Sequence, residues 1–259
     1  MATIEEILTN PPPGVDLTIV GGQALIYWTL SYQQRYPDLF PDEVISSTTD
    51  VDFVVQLKEA CRECHQYWGG KFFSPGWSAT PEFAYILVEG EDDEDPIRID
   101  LMEYIFEIDR NKIKHHRVPV GGDDRYNDMY VLSELGTLLN RVYNTVRLAR
   151  YTSPEAMVQL HNAIAIVTAA IRWRIEESDV AGAQKLITSV VNLAKLSRYG
   201  IRIYLDHGID LLSVMPGDKA VFSYQFQKHV LGDLVGSVKE KRDRLELDRA
   251  RRAAERRGQ

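Results

Sequence analysis

The chain has 259 residues and a formal charge of −8 at neutral pH. The length suits one large domain or two small ones, and the charge excludes a protein that coats nucleic acid over its whole surface. No apolar run approaches membrane-spanning length, and the acidic start, Met1-Ala2-Thr3-Ile4-Glu5-Glu6, has no signal-peptide pattern, so a cytoplasmic protein with no membrane contact is expected.

Residues 2–9 read as a short helix, stopped by Asn10-Pro11-Pro12-Pro13-Gly14, where proline removes donors and blocks helical continuation. Leu17-Thr18-Ile19-Val20 reads as a short buried strand, Gly21-Gly22 as a turn, and Gln23 onward as a helix start. The stretch 36–42 carries two prolines and reads as a loop. Residues 50–56 form a second strand, rich in β-branched and aromatic side chains, and 56–68 a helix. That helix carries Cys61-Arg62-Glu63-Cys64-His65, a match to the haem-attachment pattern C-x-x-C-H. Without an export signal it reads as a reduced pair on a helix, and a zinc site would need further ligands, for which His115 and His116 are the candidates. Residues 83–88 and 97–102 read as a hairpin with a long acidic tip, Glu89-Gly90-Glu91-Asp92-Asp93-Glu94-Asp95. The tip lacks the glycine and ligand spacing of a calcium loop and reads as solvated. A last short strand is placed at 117–120.

From Asp128 onward the pattern turns helical. Val131, Leu135, Leu138, Leu139, Val142 and Val146 fall on one helix face. Ser153-Pro154 caps a second helix, with Met157, Leu160, Ile164, Val167, Ile171 and Ile175 as its stripe. Ser178 is placed as the next cap and Arg198-Tyr199-Gly200 as the next end. A shorter helix is placed around 204–214. Residues 222–257 read as a long helix whose cluster of Arg249, Arg251, Arg252, Arg256 and Arg257 is a solvated terminus. The fold class is therefore α+β, with a mixed α/β part at 1–127 and an all-α part at 128–259.

Chemistry concentrates in the first part. Asp50 and Asp52 are two apart on a strand and project together, with Val51, Phe53 and Val55 opposite. Two carboxylates about 4 Å apart repel by roughly 4 kcal/mol at an effective dielectric near 20. A divalent ion removes that repulsion, and magnesium suits it, because it binds one or two carboxylates together with phosphate oxygens. Asp100 lies on a later strand, on one face with Arg98 and Met102, and completes a set of three acids if that strand pairs beside 50–56. Two such ions could activate an acceptor hydroxyl and stabilise a departing pyrophosphate, with Asp100 as general base or as a metal ligand. Gly21 and Gly22 would let backbone approach a phosphate at a helix start.

The order strand, Gly-Gly, helix, Asp-x-Asp strand, later Asp strand resembles the nucleotidyltransferase-fold superfamily in the form of AbiEii-like toxins. The matching residues are Val20-Gly21-Gly22, Thr48-Thr49-Asp50-Val51-Asp52-Phe53 and Asp100. The resemblance covers about residues 15–150. It implies a nucleotidyltransferase-type sheet and transfer of a nucleoside monophosphate from an NTP to a hydroxyl on tRNA or protein, in a toxin or phage-defence setting with an antitoxin-like partner. It further implies Mg2+ or Mn2+ on Asp50, Asp52 and Asp100, and nucleotide contacts from Gly21, Gly22 and Thr49. Arg141 and Arg147 are the candidates for the basic residue on the triphosphate. The sequence departs from the pattern in its long interval from Gly22 to Asp50 and in Gln23, where relatives carry a small hydroxyl residue. A catalytically inactive binding module on the same fold is the alternative.

Overall fold

The computed structural model describes residues 3–40, 50–75, 81–90, 95–105, 108, 110–120, 129–148 and 153–257. The chain divides into two compact units, 1–141 and 142–259.

Within the first unit the described strands form one mixed seven-stranded sheet. They are β1 Leu17–Ile19, β2 Asp50–Val55, β3 Lys71–Phe73, β4 Glu82–Val88, β5 Ile97–Met102, β6 Arg117–Pro119 and β7 Met129–Leu132, in the spatial order β3-β4-β5-β2-β1-β7-β6. β1 is antiparallel to β2 and parallel to β7, while β2 and β5 are parallel. β4 and β5 pair antiparallel, as the hairpin reading expects; residues 91–94 of its tip lie outside the described residues.

One sheet face is continuous hydrocarbon. Leu17, Ile19, Val51, Phe53, Val55, Ile99 and Leu101 alternate onto it, and none is more than 3 % exposed. Burying such side chains contributes about 1.5–3 kcal/mol each, which locks the register, because a slip of one residue would put them all in water. Phe53 stacks on Trp68 of the helix α3, Ala60–Trp68, with ring centroids 5.6 Å apart. Ahead of β1, the helix α1, Ile4–Thr9, is closed by a reciprocal cap between Thr3 and Glu6. Tyr67 and Trp68 then tie α3 to Asn10 at its end. The helix α2, Gly21–Gln33, follows β1 without an intervening turn residue.

β3 and β7 are strands that the sequence pattern does not announce. Residues 129–132 look like the beginning of the helical part, yet they fill the place beside β1, pairing Leu17 with Met129 and Ile19 with Val131. Burial of Met129, Val131 and Leu132 outweighs local helical periodicity. Between β5 and β6 lies a short α4, Arg110–Ile113, and after β7 comes α5, Glu134–Arg147. The division between the units therefore falls inside α5, later than the expected change at 127/128.

The second unit is helical in its described residues: α6 Pro154–Glu176, α7 Val180–Leu196, α8 Arg198–His207, α9 Tyr224–Phe226 and α10 Val235–Arg257, with a π-helical stretch, Gln227–Leu234, joining the last two. Ser153 caps α6 as expected, accepting from Ala156 N–H at 3.3 Å. The cap of α7 is Asp179, which accepts from Gly182 N–H at 2.9 Å, and not Ser178. Arg198-Tyr199-Gly200 opens α8 instead of ending α7, because Ser197 accepts from Tyr199 N–H and starts a new helix. Residues 211–214 form a 3-10 turn. Residues 246–256 of α10 are exposed, in keeping with a solvated end. Among the described residues no helix is long and apolar enough to cross a membrane.

Candidate active site

The end of β1 sets the first half of the site. Val20 N–H donates to the Asp52 carbonyl at 2.9 Å, extending the β1–β2 pairing by one bond before α2 begins. Gly21 then adopts φ +61, and a Cβ placed on it would clash with Asp52 Oδ2 and stand 2.8 Å from Asp52 Cγ. Glycine alone satisfies both the left-handed backbone and the missing volume. The expected turn is therefore the first residue of a helix, and its lack of a side chain seats a carboxylate. No side chain caps α2 at Val20, and the positive end of a helix dipole favours an anion at that position. Gly22 is the second residue of the same turn and is half-buried.

The β2–β5 register sets the second half. Asp52 pairs with Asp100, and Asp50 with Arg98, on parallel neighbours. Neighbouring strands lie about 4.8 Å apart and register partners share a face. Asp50, Asp52, Arg98 and Asp100 thus stand together on the side opposite the hydrocarbon face. Asp50 is exposed, and Asp52 and Asp100 are half-buried. The sheet therefore brings together the three acids that sequence spacing nominates.

Two further groups belong to the cluster. Arg98 Nε donates to Asp100 Oδ1 at 2.8 Å, and its Nη2 lies 2.7 Å from that oxygen and 3.1 Å from Glu82 Oε1. Its guanidinium lies over the Tyr85 ring, 4.0 Å from the centroid. The hydrogen bond to Asp100 pushes the Arg98 pKa up. Burial pushes the Glu82 carboxyl up, the Asp100 charge adds to this, and Arg98 opposes it. Glu82 arrives through a bulge: the register passes from Glu82↔Met102 to Ala84↔Leu101, so β4 uses one residue more than β5. Strict alternation from Tyr85 would send Glu82 to the hydrocarbon face, and the bulge returns it to the acidic one.

Arg98 and Glu82 are the functional candidates that motif spacing passes over. The signal for Arg98 was present, since Arg-x-Asp on a strand places both on one face. Glu82 had none, because a bulge leaves no mark on hydrophobic periodicity. Thr49 lies outside the described residues. Arg141, nominated for the triphosphate, is only 4 % exposed on α5 and so is enclosed instead of presented to a ligand.

A divalent ion can be tested against these residues. Among the described residues no group of three or more His, Cys, Asp or Glu side chains is gathered to hold a metal. The backbone placement fits one. Asp52 and Asp100 are in register, Asp50 is on the same face, and carboxylate oxygens are the donors that magnesium and manganese take.

The C-x-x-C-H segment has a different role. Cys61 and Cys64 face the core at 1 % and 0 % exposure, and burial pushes their thiols up to about 11 and about 12. His65 bonds to the Gly70 carbonyl at 3.2 Å. The two thiols belong to the core, and enclosed thiols are not presented for haem attachment.

No protein-family model, curated protein or solved structure matches the chain.

Proposed function

We propose that the protein is a metal-dependent nucleotidyltransferase that moves a nucleoside monophosphate from an NTP to an acceptor hydroxyl on tRNA or protein. The observation that carries this reading is the junction of Gly21, Asp52 and Asp100: a helix start against one acid, and a second acid in register beside it. Asp50, Asp52 and Asp100 would hold Mg2+ or Mn2+. When bound, the ion supplies Lewis-acid stabilisation of phosphate charge and lowers the pKa of an attacking hydroxyl.

The chain's own residues do the rest. The first-turn amides of α2 are oriented donors for an anionic phosphate. Asp100, in register with Asp52, is the acid suited to act as general base if the ion rests on the other two, and Asp50 is the exposed member of the three. The hydrocarbon face beneath, packed at Phe53, Ile99 and Leu101, keeps the acids at fixed spacing, so little geometry must be found during reaction.

The test is incubation of the purified chain with each α-labelled NTP, Mg2+ or Mn2+, and total tRNA or lysate. Label should appear on RNA or protein and vanish with Asp52→Asn. If the folded protein binds no NTP with either metal, this reading fails.

The Arg98 bridge favours a second reading, a binding module on the same fold, because a built-in cation already neutralises Asp100. In that case nucleotide or partner binding would survive Asp52→Asn and no label would transfer.

A further inference from the structure

We infer that Arg98 is an exchangeable cation: it holds Asp100 until a divalent ion takes that carboxylate, and the released guanidinium then binds the phosphate chain of the nucleotide. This rests on the nucleotidyltransferase reading and adds to it the basic residue that Arg141, enclosed on α5, does not provide.

The surroundings of Arg98 carry the inference. It is ion-paired to both Asp100 and Glu82, with Asp50 opposite it in register and Asp52 two residues further along β2. Its contact with Asp100 uses Nε and Nη2 on a single oxygen, Oδ1. This is not the two-oxygen fork of a structural Arg–carboxylate pair. Its side chain is 36 % exposed while Asp100 is 19 % exposed, so the guanidinium can reach solvent while the carboxylate stays seated. Tyr85 supports its plane at 4.0 Å and can remain a platform when the anion partner changes. A planar five-donor group leaving a carboxylate pairs best with phosphate oxygens, and those would enter on this same face. Linkage then requires that metal and nucleotide strengthen each other through Arg98.

The experiment is Mn2+ titration by electron paramagnetic resonance, with and without a non-hydrolysable ATP analogue, on wild type, Arg98→Gln and Arg98→Lys. Without nucleotide, Arg98→Gln should bind Mn2+ about tenfold more tightly, since the competing cation is gone, and should lose about tenfold in analogue affinity. Arg98→Lys, which keeps charge without the fork, should stay near wild type for Mn2+ and lose analogue affinity. Circular dichroism checks folding, and if Arg98→Gln does not fold, Arg98→Lys carries the analogue arm. Unchanged or weaker Mn2+ binding in folded Arg98→Gln, or unchanged analogue affinity in either variant, overturns the exchange while leaving the transferase reading intact. Wild type that binds neither Mn2+ nor analogue overturns both.

Discussion

The same sheet face carries two arginine clusters, and they differ in charge balance. At the far end of β1, Arg117 forks onto both oxygens of Asp16, with Nη2 2.9 Å from Oδ2, and donates to Thr18 Oγ1 at 3.2 Å. Gln56 also donates to Asp16, and Arg117 lies 3.8 Å over the Tyr130 ring. One acid meets one cation, and the Arg117 side chain is only 10 % exposed. At the other end Arg98 also lies over a tyrosine, but it is shared between two acids, Asp100 and Glu82, with Asp50 opposite it in register. The first cluster is complete and joins β6 to β1. The second divides one cation between Asp100 and Glu82, and under the proposed function this end of the face is the place of a ligand cation.

That comparison can be broken most sharply at Asp52. Asp52→Asn should lower NMP transfer on the order of 10³-fold with little change in the urea midpoint, because the amide keeps the shape of the carboxylate against Gly21. A clear loss of stability would make Asp52 a structural acid like Asp16. Gly21→Ala comes next. The new Cβ displaces the Asp52 carboxylate and strains φ +61, so we expect a loss of at least about 10²-fold in transfer with only about 1–2 kcal/mol of destabilisation, read by transfer assay and urea unfolding together. Arg117→Met should show the reverse pattern. Asp16 loses its fork, stability falls by about 1–2 kcal/mol after allowing for its partial exposure, and Mn2+ affinity stays at the wild-type value.

The smallest effect concerns the helix beneath the sheet. Cys61 and Cys64 keep their protons up to about 11 and about 12 in the native state, against an ordinary 9.0. Above pH 9 the unfolded chain gives up protons that the native state retains, so stability should fall as pH rises from 9 toward 11. Cys61→Ala/Cys64→Ala should flatten that slope in urea titrations, and an unchanged slope would place the alkaline loss elsewhere. Native thiols should also resist alkylation at pH 8 until the chain is unfolded.

Much of this arrangement is legible in sequence. β1, β2, β4 and β5 follow from β-branched alternation, and the pairing of Asp50, Asp52 and Asp100 on one face follows from the two-residue period of a strand. The diglycine is visible as a chain reversal, but its actual task, leaving room for the Asp52 carboxylate, depends on a contact across 31 residues that no local pattern encodes. β7 was hidden because Val131 and Leu132 suit a helix as well as a strand, and only the open place beside β1 decides between them. Asp179 displaced Ser178 as the α7 cap because either residue type can accept from a first-turn amide, and the choice is made by backbone angles.

The bulge in β4 gives the site an arithmetic of its own. Phe83 is the extra residue between Glu82 and Ala84, so its deletion would leave Glu82 two residues from Tyr85, and plain alternation would then hold it on the acidic face without a bulge. The carboxylate would still stand opposite Met102, on the face of Arg98 and Asp100. Most substitutions along β4 change one side chain, whereas a single-codon deletion there would straighten the strand and leave the charge of the cluster as it is.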